Sequence, residues 1–192
     1  MSLVVAYKKD GTVYMGADTQ SSRGSEISRT LNASGFKISK LPSGILMGVC
    51  GLVKGHQKIL TQKNWFELPE GKKLDKRYIV KNIIPKLSEL MKGIKEDKDA
   101  RHSSMEVCLL LAQADRLFMI SNQYTVFESH SYAAIGAGAD YSEYCLSRAE
   151  EADDVHEGLL KALRAGAHFD STVSAPYVLI DTKDREYAVV EG

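Results

Sequence analysis

Neither sign of charge is in excess in this sequence: 25 lysines and arginines stand against 25 aspartates and glutamates. A chain without a net field has no general attraction for polyanions, so nucleic acid and anionic membrane surfaces are not expected partners. The one basic concentration, Lys72, Lys73, Lys76 and Arg77, reads as the solvated entrance of a helix. No apolar run approaches the ~20 residues that cross a bilayer. The charged-then-apolar layout of a secretory signal is missing as well, so a cytoplasmic location is expected. Cysteine is scarce. Cys50, Cys108 and Cys145 are far apart in sequence, form no CxxC unit and cannot all pair within one chain. They read as buried free thiols in a reducing compartment.

The spacings that announce metals and cofactors are missing too. There is no HxxxH, HExxH or Cys/His cluster, and His56, His102, His130, His156 and His168 are scattered, so no metal is expected. There is no Walker loop. Gly136-Ala137-Gly138 follows a strand and precedes a helix, but Tyr141 occupies the place of a third dinucleotide-binding glycine. A tight strand-to-helix turn accounts for it, and no cofactor is expected. Repeats, low-complexity stretches and linkers are lacking, so residues 1–192 read as one domain. Met1-Ser2-Leu3 and Glu191-Gly192 at its ends resemble expression-vector remnants.

What is present is an ordinary soluble composition, 44% hydrophobic and 26% charged, in a chain long enough to bury a substantial core. Leu3 to Tyr7 is an apolar strand that turns at Asp10-Gly11, a pair tolerant of positive φ, and returns as Thr12 to Ala17. Gln20 to Ser34 is polar and reads as a loop or irregular ribbon. Phe36 to Leu41 and Ile45 to Cys50 form a second hairpin. Leu52 to Gln62 is a short helix. Tyr78 to Lys95 is a longer one with apolar residues at three-and-four spacing, and Pro85 predicts a kink inside it. Lys95 to Ser104 reads as a connecting loop. Strands are predicted at Met105 to Gln113, Leu117 to Ser121, Tyr124 to Glu128 and Tyr132 to Ile135. Helices follow at Asp140 to Glu150 and Val155 to Phe169, the second with Asp154 as N-cap and Glu157 placed for a capping box. Tyr177 to Ile180 and Tyr187 to Val190 close the chain. Hairpins separated by helix pairs fit a layered α+β domain rather than a doubly wound parallel sheet.

Four segments in this order resemble the proteasome β-subunits and bacterial ring proteases of the N-terminal-nucleophile hydrolase superfamily. They are the opening Val4 to Asp18, then Gly35-Phe36-Lys37-Ile38-Ser39-Lys40-Leu41, then Ile45-Leu46-Met47-Gly48-Val49-Cys50-Gly51, and finally Ala134-Ile135-Gly136-Ala137-Gly138. The resemblance implies a four-layer α-β-β-α sandwich of two antiparallel sheets between helix pairs. It also implies a threonine- or serine-type peptidase working in a homo-oligomeric ring on peptide or protein substrates, with an ATP-dependent unfoldase as a further partner.

Carried over by position, the resemblance puts the nucleophile on Ser2, the acid beside the active-site lysine on Asp18, and that lysine on Lys37. It puts the oxyanion-facing amide on Gly48 and a supporting acid on Asp170, with Ser174 a looser match for a nearby serine. A hydroxyl at a chain start has its own base in the free α-amine, whose pKa is about 7.7–8.0. Ala137 stands where the family has a serine that bonds this amine, and Met1, while retained, blocks the amine. The alternative implied is an inactive scaffold subunit that keeps the fold without the chemistry.

Overall fold

The computed structural model describes residues 2–23, 26–29, 36–62, 66–69, 71–92, 107–149, 154–184 and 186–191. Alternating side chains sort the strands into layers. In β1 (Leu3–Lys9), Leu3, Val5 and Tyr7 face a helix layer while Val4 and Ala6 face the opposite sheet. β1 pairs with β2 (Thr12–Asp18) through Asp10 and Gly11, both at positive φ as the turn requires. β10 (Tyr132–Gly136), β11 (Tyr177–Asp181) and β12 (Ala188–Val190) complete this first sheet in the order β10-β1-β2-β11-β12.

The second sheet runs β5-β6-β7-β8-β9. Its strands are β5 (Ile38–Lys40), β6 (Leu46–Gly51), β7 (Val107–Gln113), β8 (Arg116–Ile120) and β9 (Val126–Ser129). Every ladder in both five-stranded sheets is antiparallel. Three apolar cores match the three interfaces of a four-layer sandwich. α4 (Ala139–Ser147) and α5 (Val155–Phe169) cover the outer face of the first sheet through Leu146, Leu159 and Leu163. Val4, Met15, Leu46 and Leu110 fill the space between the sheets. Ile59 of α1 (Val53–Leu60) joins Ile79, Ile83 and Leu87 against the far face of the second sheet.

The helix predicted from Tyr78 starts at Lys76, capped by Asp75, whose side chain accepts from Tyr78 N–H at 2.6 Å. Lys72, Lys73, Lys76 and Arg77 are all exposed around that entrance. The kink expected at Pro85 takes a specific form: α2 (Lys76–Tyr78) opens into a π turn over Ile79–Ile83 before α3 (Ile84–Lys92). Proline has no N–H and its ring crowds the carbonyl four residues back, so a widened turn upstream relieves both. Within Gln20 to Ser34 the described residues are more regular than expected, with β3 (Gln20–Arg23) and β4 (Glu26–Arg29) forming a two-stranded ribbon; the rest of that stretch lies outside the described residues.

α5 spans the predicted residues, and Asp154 caps it by accepting His156 N–H at 2.9 Å. Glu157 does not reach back as a capping box; it pairs with Lys161 one turn on, at 2.9 Å. The reading of Lys95 to Ser104 as a loop lies outside the described residues, as does Met1.

Candidate active site

Asp18 closes β2, the central strand of the first sheet, and the pairing of Val4 with Ala17 sets it beside the start of β1. Its carboxylate is almost fully buried, at 1% exposure, and so is Lys37, at 6%. Asp18 Oδ1 accepts the Lys37 ammonium at 2.6 Å and Leu3 N–H at 2.8 Å, while Oδ2 accepts Gln20 N–H at 3.1 Å. Lys37 Nζ also donates to Gln20 O at 2.5 Å. Burial pushes the Asp18 carboxyl above its usual range, and the Lys37 charge with the two backbone N–H groups pulls it back. Every one of these contacts donates to the carboxylate, so together they favour its ionised form.

The pair leads directly to Ser2. Leu3, which Asp18 holds by its N–H, is bonded to Ser2, and the Ser2 carbonyl accepts Ala137 N–H at 2.8 Å. Gly136 lies opposite Leu3 at a φ of 101°, and a Cβ there would sit 1.9 Å from the Ser2 carbonyl oxygen. The chain start is therefore held on one side by the end of β10, through Ser2 O, and on the other by Asp18, through Leu3 N–H. Asp18 and Lys37, singled out from the sequence, meet in an ion pair, and Leu3, which Asp18 holds, is the neighbour of Ser2.

Gly48 does not join them. It lies mid-strand between Ile38 and Leu110, and a Cβ on it would meet Val4 Cγ1 at 2.6 Å, so its missing side chain makes room between the sheets. Val49 N–H donates to Lys37 O at 2.9 Å. Successive N–H groups in a strand point to opposite sides, so the Gly48 N–H belongs to the ladder with Leu110 and is not aimed at Ser2. By the same alternation Gly51 N–H points to the Lys37 side, past the last β5–β6 pair, at Ile38 and Gly48. Gly51 ends β6 at a φ of 125° and is exposed just ahead of α1. The sequence signal for Gly51 was its place at the strand-to-helix junction.

Asp170 terminates α5 and is half-buried. Its Oδ1 accepts both the N–H of Thr172, at 2.9 Å, and its hydroxyl, at 2.5 Å; these bonds hold the carboxyl below its ordinary value. This Asx-type turn accounts for an acid at a helix end where the dipole disfavours it. The turn lies close to the site: Val173 packs in the same core as Leu3, and Gln20 Nε2 donates to Ser171 O at 3.1 Å. Ser174 turns its hydroxyl to Ala175 O at 3.2 Å. Among the described residues, no group of three or more histidine, cysteine, aspartate or glutamate side chains is placed to hold a metal.

His56, on α1, is a further titratable group that the charge of Lys37 reaches. Its Nε2 is buried without a partner, and desolvation first, then Lys37, lowers its pKa below 6.5. A depressed histidine binds protons more readily unfolded than folded, so stability present above about pH 6.5 is lost as pH falls below it. The midpoint of urea unfolding is expected to drop between about pH 7.5 and pH 5.5. His56→Gln is expected to show a smaller drop than the parent chain; an equal drop would dissociate His56 from acid sensitivity.

No family profile and no curated protein sequence matches this chain. Solved structures do. Thiobacillus denitrificans BPH superposes with a TM-score of 0.73 at 22% identity, over 93% of this chain and 96% of that one, and has also been solved in complex with epoxomicin. Anbu (ancestral β-subunit) from Yersinia bercovieri gives 0.69 at 15% identity, over 98% of this chain and 86% of that one. Eukaryotic HslV from Trypanosoma brucei gives 0.64 at 18% identity, over 99% of each chain. These likenesses show the fold, which is the four-layer α-β-β-α sandwich that the sequence motifs imply.

Proposed function

We propose that the chain is an N-terminal-nucleophile amide hydrolase that cleaves peptide or protein substrates. The observation that carries this reading is the buried Asp18–Lys37 pair holding Leu3 N–H, one residue from a serine hydroxyl near the chain start. The chemistry requires removal of residue 1, so that the Ser2 α-amine is free. Ser2 Oγ then attacks the amide carbon while its proton passes to that amine. The Lys37 ammonium favours the neutral amine and the developing alkoxide.

The Gly51 N–H, ahead of the α1 N-terminus, supplies a donor on the side where the tetrahedral oxyanion forms. Collapse breaks the C–N bond as the amine's proton goes to the leaving nitrogen, giving a Ser2 ester. Water, deprotonated by the same amine, hydrolyses that ester. Asp18 acts as a positioning residue, since it touches Lys37 and the backbone. Assembly into a homo-oligomeric ring belongs to the same reading, supported by the fold shared with a protein titled an ancestral β-subunit.

One observation favours the second reading, a scaffold without activity. Ala137 offers Ser2 its backbone N–H but has no hydroxyl with which to orient a free amine. Epoxomicin separates the two. Its epoxyketone closes a ring on a hydroxyl and an α-amine borne by one residue, so it reports both groups together. Chain with residue 1 shown by mass to be absent is expected to gain one inhibitor mass on the Ser2 peptide. Ser2→Ala is expected to abolish the adduct and Lys37→Met to slow it by about two orders of magnitude or more. No adduct on correctly processed protein overturns the hydrolase reading in favour of the scaffold.

A further inference from the structure

Two of the three thiols are neighbours despite their distance in sequence. Cys50 on β6 lies directly opposite Cys108 on β7, and both are free. They share a face: Cys50 belongs to the core between the sheets, and Cys108 packs at its margin. Directly opposed residues hold their Cβ atoms about 4.5–5.5 Å apart, with Cα atoms about 5.5 Å apart in a hydrogen-bonded pair. That Cα separation suits a disulfide, whereas the Cβ atoms must close toward about 3.8 Å. A bridge here needs only local contraction and closes under strain, which makes it readily reducible. Cys145 cannot compete, because it packs among the α4–α5 residues on the other face of the first sheet.

Cys50 presently serves a different seam. Its Sγ–H donates to Ile135 O at 3.2 Å, and the backbone N–H of Val4 bonds to the same sulfur. Val4 and Ile135 are partners in the β1–β10 ladder, the one whose last pair, Leu3 with Gly136, adjoins Ser2. The sulfur also lies 2.8 Å from where a Cβ on Gly136 would be. Cys108 is half-buried and is the member of the pair that a small solute reaches first.

We propose that Cys50 and Cys108 form a reversible cross-strand disulfide on exposure to a peroxide, and that closing it withdraws Cys50 from the β1–β10 seam beside Ser2. The Cys108 thiolate attacks one peroxide oxygen, expelling hydroxide and leaving a sulfenic acid. The Cys50 thiolate then displaces that oxygen as hydroxide, and the two hydroxides take up the protons that the two thiols released. Overall two thiols and one hydrogen peroxide give one disulfide and two waters, with two electrons passing from sulfur to oxygen. Burial pushes both thiols above their ordinary value, so the reaction is slow near neutrality and quickens as pH rises. Once formed, the disulfide has no S–H for Ile135 O. This proposal does not depend on the hydrolase reading, and its test needs no catalysis.

The full chain is treated with hydrogen peroxide, denatured and alkylated. The expected result is loss of two of the three alkylable thiols, a peptide pair linked through Cys50 and Cys108, and restoration by dithiothreitol. Cys145→Ser is expected to link equally well and Cys108→Ser to keep Cys50 reduced. In the linked form the amides of Leu3 to Val5 are expected to exchange hydrogen faster than in the reduced form. Three alkylable thiols, an oxygenated Cys108 without a link, or a link through Cys145 would each overturn the disulfide. A link that leaves exchange at Leu3 to Val5 unchanged would overturn its effect on the seam.

Discussion

Asp18→Ala is expected to lower the unfolding free energy by about 3–5 kcal/mol, the cost of stranding one member of a buried ion pair. The reason lies in what remains. Among the described residues, Lys37 is left as a buried ammonium with Gln20 O as its acceptor, and Leu3 and Gln20 lose the acceptor of their N–H groups. Two unsatisfied N–H groups cost about 1–3 kcal/mol each where they stay dry. The stranded charge adds to this, because an ammonium at 6% exposure cannot rehydrate without opening the site.

The charge and the orphaned amides can be separated. Asp18→Ala combined with Lys37→Met removes the ammonium but leaves both N–H groups unpaired, so it is expected to be more stable than Asp18→Ala alone. The cycle is expected to show a coupling of about 0.5–3 kcal/mol, measured by urea unfolding. Strict additivity of the two substitutions would mean that the pair is not the source of the loss.

The pairing itself was legible because it rests on residue order: an acid at the end of the first hairpin, then a lysine entering the second. The layers were legible for a similar reason. Val4 and Ala6 alternate with Leu3, Val5 and Tyr7 by the period of a pleated strand, and that period alone assigns them to two cores. Which of two glycine N–H groups leaves the ladder was not legible. Gly48 and Gly51 occur three residues apart in one apolar run, and only the pleat, fixed by the bond from Val49 to Lys37, says which N–H leaves the ladder. Thr19, just ahead of the stretch Gln20 to Ser34 whose composition reads as a loop, and Gln20, which opens it, are both buried. Their side chains bond Pro176 O and Ser171 O, partners more than 150 positions away. Such burial leaves no local pattern. Register has the same blindness, which is why Cys50 and Cys108 look unrelated until β6 and β7 are paired.

Among the described glycines, Gly136→Ala is expected to be the most damaging substitution by alanine, because it combines two separable penalties at the residue that seats Ser2. The first is conformational. At a φ of 101° an L side chain is strained, at a cost of order 1–3 kcal/mol. The second is steric, and backbone rather than a yielding side chain is in the way. The new Cβ would fall 1.9 Å from the Ser2 carbonyl oxygen and 2.9 Å from its carbon. Gly71→Ala isolates the first term, since Gly71 has a φ of 73° with nothing within 4 Å of its Cβ position. It is expected to cost about 1–2 kcal/mol.

Gly136→Ala has two ways to respond, and they are distinguishable. If β1 stays paired, the whole domain loses stability well beyond the Gly71→Ala value. If instead the start of β1 peels away, the global loss is smaller, but Leu3 N–H leaves Asp18 and the amides of Leu3 and Val4 lose protection from hydrogen exchange. Peeling moves Ser2 away from the Asp18–Lys37 pair and is expected to abolish any adduct formation at Ser2. A Gly136→Ala chain matching Gly71→Ala in stability, with Leu3 and Val4 still protected, would show that the end of β10 does not hold the chain start in place.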